Sequence, residues 1–277
     1  MNNVPGRSCM AVALLIIAAL IAPVTAHADL LVSPTRVVLD DRSHSAVVTL
    51  MNRSQRTHTY RIDWLEQSMD EQGRYHPIET PQASDHIASP MLRHSPRRVT
   101  IAPGEYQKVR INLRRPKDLE EGEYRSHLHL QAEPDNETAA DGNAVNNGLS
   151  LQVQVSLSFS IPVIVRYGHG MPAAQISSVR VEADNSGKPQ LAVGLSREGR
   201  YSAFGRIVAY LQHAGGKEER IGLANNVAVF ADSRQREVTL PLQQTNFPAD
   251  AVLRVVYEGD DEYEGKVWDQ RSFQVGR

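Results

Sequence analysis

Between Leu149 and Arg166 the chain reads LSLQVQVSLSFSIPVIVR, and this run limits what the molecule can become more than any other. Leu149, Leu151, Val153, Val155, Leu157, Phe159, Ile161, Val163 and Val165 fall on one face of an extended chain. Ser150, Gln152, Gln154, Ser156, Ser158 and Ser160 fall on the other. A period of two is the pattern of a half-buried β-strand. At about 3.3 Å per residue the run spans about 55 Å, whereas a domain of about 130 residues has a radius of gyration near 14 Å. The strand outruns its own core, so part of its apolar edge is expected to seek a partner outside this chain.

The chain opens with the marks of export. Arg7 precedes an apolar run, Ala11–Val24, and Ala26-His27-Ala28 fits the small-residue cleavage rule. Residues 1–28 are therefore expected to be a signal peptide cleaved after Ala28. The run is shorter than the roughly 20 apolar residues that span a bilayer, and no membrane insertion is expected after cleavage. Cys9 is the only cysteine and lies in that leader, so no disulfide is available to the mature chain. Removing 28 of 277 residues leaves 249, enough for two ordinary domains. Arg7 is the only charged residue lost, which takes the formal charge from −2 to −3. That balance does not suggest a nucleic-acid partner.

Most periodic segments are strand-like. LLVSPTRVVL, SAVVTLMN (Ser45–Asn52) and TYRIDWLEQ (Thr59–Gln67) come first, and DEQGRYHP (Asp70–Pro77) follows as a hairpin or loop. In RRVTIAPGEYQKVRINL (Arg97–Leu113), Ala102-Pro103-Gly104 marks a turn between two strands. GEYRSHLHLQ (Gly122–Gln131) is another strand, and Glu133–Asn147 has the polar composition of a loop. Strand-like segments continue after Gly170, where Phe204, Ile207, Val208 and Tyr210 are expected in a second core. The expected fold is all-β: two sandwich domains, residues 29–170 and 171–277.

Signals for chemistry are weak. His127 and His129 share a strand face, but zinc sites usually take three or four protein ligands and no third ligand stands at a recognisable spacing. There is no G-x-S-x-G, P-loop or H-E-x-x-H. No catalytic residue, metal or cofactor is expected, and the chain is not expected to be an enzyme. Asn52-Arg53-Ser54 and Asn136-Glu137-Thr138 match a glycosylation sequon, a motif short enough to arise by chance. Trp64 and Trp268 fit a sugar-stacking surface or, more simply, core positions.

Taken together, VSPTRVVL near the mature start, SPRRVTIAPGEYQKVRINLR, GEYRSHLHLQ, a polar loop and SLSFSIPVIVRYG resemble the PapD-like periplasmic chaperones of the chaperone–usher pathway. The resemblance is close over the first domain, loose over the second, and nearer the divergent branches of the family. It implies two immunoglobulin-like domains and a periplasmic protein that holds pilus subunits by strand addition and passes them to an outer-membrane usher. The subunit-groove strand would use Leu151, Val153, Val155, Leu157, Phe159 and Ile161. A basic pair would grip the subunit's terminal carboxylate: Arg36 matches one member, Pro162 stands where the family has lysine, and Arg125 is the candidate replacement. Glu123, Arg166 and Glu262 stand where an interdomain ion-pair network would lie. Self-association that caps the exposed edge is a further expectation. The rival reading is an exported structural or adhesive β-sandwich of a surface appendage.

Overall fold

The computed structural model describes residues 30–82, 86–134, 157–212, 216, 218–243, 247–248 and 251–274. The leader and residues 135–156 lie outside that set, and with them Leu151, Val153, Val155 and the sequon at Asn136.

Among the described residues, eleven strands precede residue 170. They are β1 (Leu30–Ser33), β2 (Val37–Leu39), β3 (Ser45–Asn52), β4 (His58–Leu65), β5 (Gln67–Met69), β6 (Tyr75–Pro77), β7 (Leu92–Ser95), β8 (Arg98–Ile101), β9 (Tyr106–Leu113), β10 (Gly122–Ala132) and β11 (Ser158–Tyr167). Nine of them form a sandwich of two sheets, ordered β1-β3-β9-β7 and β2-β11-β10-β4-β8. The remaining pair, β5 and β6, is a hairpin belonging to neither sheet.

Alternation sends one side of each strand inward. Val48 and Leu50 of β3, Tyr60 and Ile62 of β4, Val109 and Ile111 of β9 and Leu128 and Leu130 of β10 meet in one core. Each large apolar side chain so buried contributes about 1.5–3 kcal/mol. Gly104 (φ +74°) makes the turn between β8 and β9, and its N–H donates to the Asn52 carbonyl at 2.9 Å. The Asn52 side chain is itself buried and donates to the carbonyls of Arg56 and Ile101. Its sequon is a core hydrogen-bonding motif, closed to a glycan.

Seven strands follow: β12 (Ala173–Ala183), β13 (Pro189–Glu198), β14 (Ala203–Gln212), β15 (Glu218–Val229), β16 (Gln235–Pro241), β17 (Val252–Gly259) and β18 (Val267–Gln274). They make sheets β12-β13-β16 and β15-β14-β17-β18. This is the seven-strand immunoglobulin-like order, with the fourth strand paired to the third. Gly205 permits the close approach of β14 to β17, since a Cβ there would lie 1.8 Å from the Glu258 carbonyl oxygen.

The expected second core needs one correction. Ile207 enters it with Ala209 and Leu211. Phe204 is on the opposite face and joins a third cluster with Met69, Ile164, Ala228, Phe230 and Tyr263. Tyr210 is half-buried beneath the Arg254 guanidinium, while Val208 is buried outside the core cluster. Alternation gives a strand two faces but does not say which one a neighbouring domain will cover. The third cluster is the apolar seam between the two sandwiches.

Leu128→Ala, at a fully buried position, is expected to destabilise the first sandwich by about 2–5 kcal/mol. Urea unfolding followed by Trp64 fluorescence in a Trp268→Phe background measures it.

Candidate functional site

The alternating strand enters the described residues at Leu157. Its apolar face splits in two. Leu157 is 50% exposed, whereas Ile161, Val163 and Val165 are inner-wall residues of the first core, with Phe159 half-buried against it. Ile161 is therefore not free to fill a subunit's groove, contrary to expectation, because β10 holds β11 in register from Gly122↔Tyr167 to Gln131↔Ser158. On its other edge β11 is paired only at Val163–Val165, where the three residues of β2 run parallel to it. From Ser158 to Pro162 that edge has no strand beside it among the described residues.

The even-numbered side of β11 faces the second domain. Ile164 packs in the interdomain seam and Arg166 stands two residues on. Arg166 sits opposite Glu123 across the β10–β11 ladder, so the register alone brings the pair together. Its Nε donates to Glu123 at 2.9 Å and its Nη1 to Glu262 at 2.7 Å. Glu123, 3% exposed, also accepts from the Ser202 N–H at 3.0 Å and hydroxyl at 2.8 Å. Glu262 lies on a 3₁₀ turn, Asp261–Tyr263, and accepts both arms of Arg36 at 2.7 and 2.8 Å. Glu123, Arg166 and Glu262 thus form one network crossing the domain boundary, with Arg36 and Ser202 as members that sequence reasoning did not assign to it.

Arg36 is the second correction. The SPTR segment runs into β2 beside β11 and faces the acidic turn of the second domain, so both Nη groups are committed to Glu262 instead of standing free for a ligand. Arg125 is likewise engaged: Nη2 donates to Asp232 at 2.6 Å and to the Gln67 carbonyl at 3.0 Å, while Nη1 is buried without a partner. The expected pair does not converge on one free fork.

Aromatic rings complete the geometry. Arg36 lies 4.2 Å from the Phe204 centroid, Arg125 3.8 Å from Phe230 and Arg166 5.2 Å from Tyr263. A guanidinium donates in its plane and stacks through its faces, so each arginine uses both. Arg197, also buried, donates to the carbonyls of Gly199, Tyr201, Phe230, Ala231 and Ser233. It ties together the loops that carry Ser202, Phe230 and Asp232.

Burial raises the Glu262 pKa, but the hydrogen bonds from Arg36 and the charges of Arg36 and Arg166 outweigh it, and the carboxyl ends below its ordinary value. Burial also opposes the charge on Arg166, and Glu123, Tyr263 and Glu262 more than restore it. The Tyr263 hydroxyl is pushed up to about 12, chiefly by burial. Burial, then the nearby Arg125 charge, press His127 down to about 3. His127 is packed edge-on against Tyr75, 5.0 Å between centroids. No group of three or more metal-ligating side chains gathers among the described residues. Trp64 packs on the first core, and Trp268 lies against the second core and the seam, its Nε1 donating to the Phe204 carbonyl at 3.1 Å.

Among the described residues no helix is long and apolar enough to cross a membrane. No family model matches the chain, and no curated protein does. Solved structures similar to it include the YadV chaperone (14% identity, TM-score 0.43, 89% of this chain and 100% of that one). Another is the CsuC–CsuE chaperone–tip adhesion subunit complex of Acinetobacter baumannii (16% identity, TM-score 0.43, 88% and 98%). A third is the E. coli chaperone DraB (17% identity, TM-score 0.43, 89% and 96%).

Glu262→Gln is expected to destabilise by about 1.5–3 kcal/mol near neutral pH, the range for hydrogen bonds to charged groups. Because the folded pKa is lowered, the contribution is present above the unfolded value and lost as pH falls through the folded one. The gap in urea midpoint between wild type and Glu262→Gln should narrow as the pH is taken from neutrality to below the ordinary glutamate value.

Proposed function

We propose that this chain is a periplasmic chaperone of the chaperone–usher type, which keeps incomplete pilus subunits soluble by lending them a strand and hands them to an outer-membrane usher. The observation that carries the reading is the bare edge of β11. From Ser158 to Pro162 it offers backbone donors and acceptors with no neighbouring strand among the described residues, next to the exposed Leu157. In the sequence, Leu151, Val153 and Val155 continue the same alternation toward the N-terminus.

Strand addition suits such a client. Main-chain hydrogen bonds give sequence-tolerant affinity, alternate side chains fill pockets, and an edge that would otherwise aggregate is covered. Leu151, Val153, Val155 and Leu157 lend apolar area while Phe159 and Ile161 anchor the strand in its own sandwich. Four such side chains at about 1.5–3 kcal/mol each supply about 6–12 kcal/mol, against about 4–15 kcal/mol for association. Backbone pairing and further contacts must supply the rest.

In this reading the Glu123–Arg166–Glu262–Arg36 network holds the two sandwiches at the angle the client meets. The usher, and a second copy capping the free edge, are further partners of that same face. No catalytic step and no cofactor enter the mechanism.

Co-expression with a subunit and recovery of a one-to-one complex from the periplasm is the test. Leu157→Asp combined with Val155→Asp is expected to cut recovery at least tenfold while leaving the chaperone folded. Full recovery with that double variant removes the mechanism.

A further inference from the structure

The sheet β1-β3-β9-β7 turns one side to the first core and the other to solvent. Its outward side chains fall in rows across the strands. Leu31, Met51 and Tyr106 stand side by side in the first row. Lys108 stands in the second, Arg110 in the third beside Val47, and Arg93 in the fourth. Successive rows are about 6.8 Å apart. Leu31 is 46% and Tyr106 61% exposed, and Met51 and Val47 are exposed with them. An open groove of about 320 Å3 runs between the first two rows. Single exposed apolar residues are ordinary, but a contiguous patch of them marks a contact surface.

Charge on this face is one-sided. The four strands carry Lys108, Arg110 and Arg93, and no aspartate or glutamate. Among the described residues none of the three cations meets a carboxylate, and Arg93 donates to the carbonyls of Pro90 and Leu92. The other three large sheets differ. On each an exposed arginine is matched to an acid: Arg98 to Glu133, Arg180 to Glu237 and Arg206 to Glu258. At the end of the sheet that bears the apolar row, Glu105 in the turn before β9 is outnumbered by Arg53 and Arg56 in the loop after β3. The chain as a whole has a formal charge of −2. A cationic face on an anionic molecule calls for an anionic partner.

We propose that this sheet face docks the protein on an anionic phospholipid surface, with Leu31, Met51 and Tyr106 entering the interface while Lys108, Arg110 and Arg93 meet the phosphates. The order of the rows along the strands is that of a bilayer boundary crossed from acyl chains to headgroups. Tyrosine suits such a boundary, with an apolar ring and a wet hydroxyl. Lysine and arginine stems lie along apolar surface while their heads reach the polar layer, and anionic lipid attracts basic groups to its surface. An acidic protein is the rival of the same charge. A protein hot spot, however, is a packed and desolvated pocket. Here the side chains project from the open side of a sheet around an open groove, and a fluid bilayer moulds to them without a matched shape. The contact is peripheral, because the strands stay in the sandwich and only their outward side chains engage. It uses neither the edge of β11 nor the interdomain network, so it stands apart from strand lending.

Co-sedimentation of the full mature chain with large vesicles tests this, comparing phosphatidylcholine alone with phosphatidylcholine carrying about 30% phosphatidylglycerol. The anionic vesicles are expected to bind at least ten times tighter, and salt at about 0.5 M to remove most of the difference. Lys108→Glu with Arg110→Glu is expected to abolish the preference. Lys188→Glu with Arg220→Glu, an equal change in charge at exposed positions of the second domain, is expected to retain it. Leu31→Ser with Tyr106→Ser is expected to weaken binding to the anionic vesicles at least fivefold with the cations intact. Equal binding to the two kinds of vesicle overturns the assignment. So does anionic binding that ignores the Leu31 and Tyr106 changes, which is charge adsorption alone. Soluble polyglutamate is expected to bind at least tenfold more weakly than the anionic vesicles; tighter binding to it, lost with Lys108→Glu and Arg110→Glu, would assign the face to an acidic protein instead. These substitutions spare the edge of β11, so each is expected to recover a client complex at the wild-type level, and either reading can fail without the other.

Discussion

The arrangement of the whole molecule hangs on one carboxylate held by two guanidiniums. Glu262 reaches across the domain boundary to Arg36 and Arg166, and Arg166 continues to the buried Glu123. Apolar contact alone would not fix an angle, because the hydrophobic effect is non-directional. Planar forks are directional. Each of Arg36, Arg125 and Arg166 spends its edge on an acid and its face on a ring of the second domain. The seam of Ile164, Phe204, Phe230 and Tyr263 lies beside these pairs, of which Arg166–Glu123 is the most buried, and a drier setting strengthens that pair most.

The strand with the bare edge is also a structural member. β11 contributes Ile161, Val163 and Val165 to the first core, Ile164 to the seam and Arg166 to the ionic network. Its one underused surface is the edge before Val163, where β2 is too short to follow it. A client paired there would share a rigid ladder with β10 and, through Arg166, with the second domain. The same economy explains the split of the apolar face: Leu157 is exposed while the face from Phe159 onward packs on the first core.

Several parts of this were legible in the residues. SAVVTLMN and GEYRSHLHLQ alternate strictly enough to be read as strands, and β3 and β10 occupy those positions. The polar run around Gly73 was readable as a hairpin or loop because a glycine among polar residues suits a turn. β7, Leu92–Ser95, carried no such signal, since four residues with one buried leucine show no period. The place of Arg236 was invisible for a different reason. In REVTLPL it reads as an ordinary outward-facing residue, and the hairpin folding back from the first domain brings Gly73 against its half-buried guanidinium.

What the linear chain determined by itself was local: which segments extend, which face of each is apolar, and that a chain with a single cysteine must hold without an internal disulfide. Periodicity is a property of neighbours two residues apart, so it survives in one dimension. What only the tertiary structure decided was the partner of every charge. Arg36 and Glu262 are separated by 226 positions, and nothing in either neighbourhood distinguishes an arginine that meets an acid from one that does not. Pairing across a domain boundary depends on where two separately folded sandwiches come to rest, and that is set by the seam and the forks acting together.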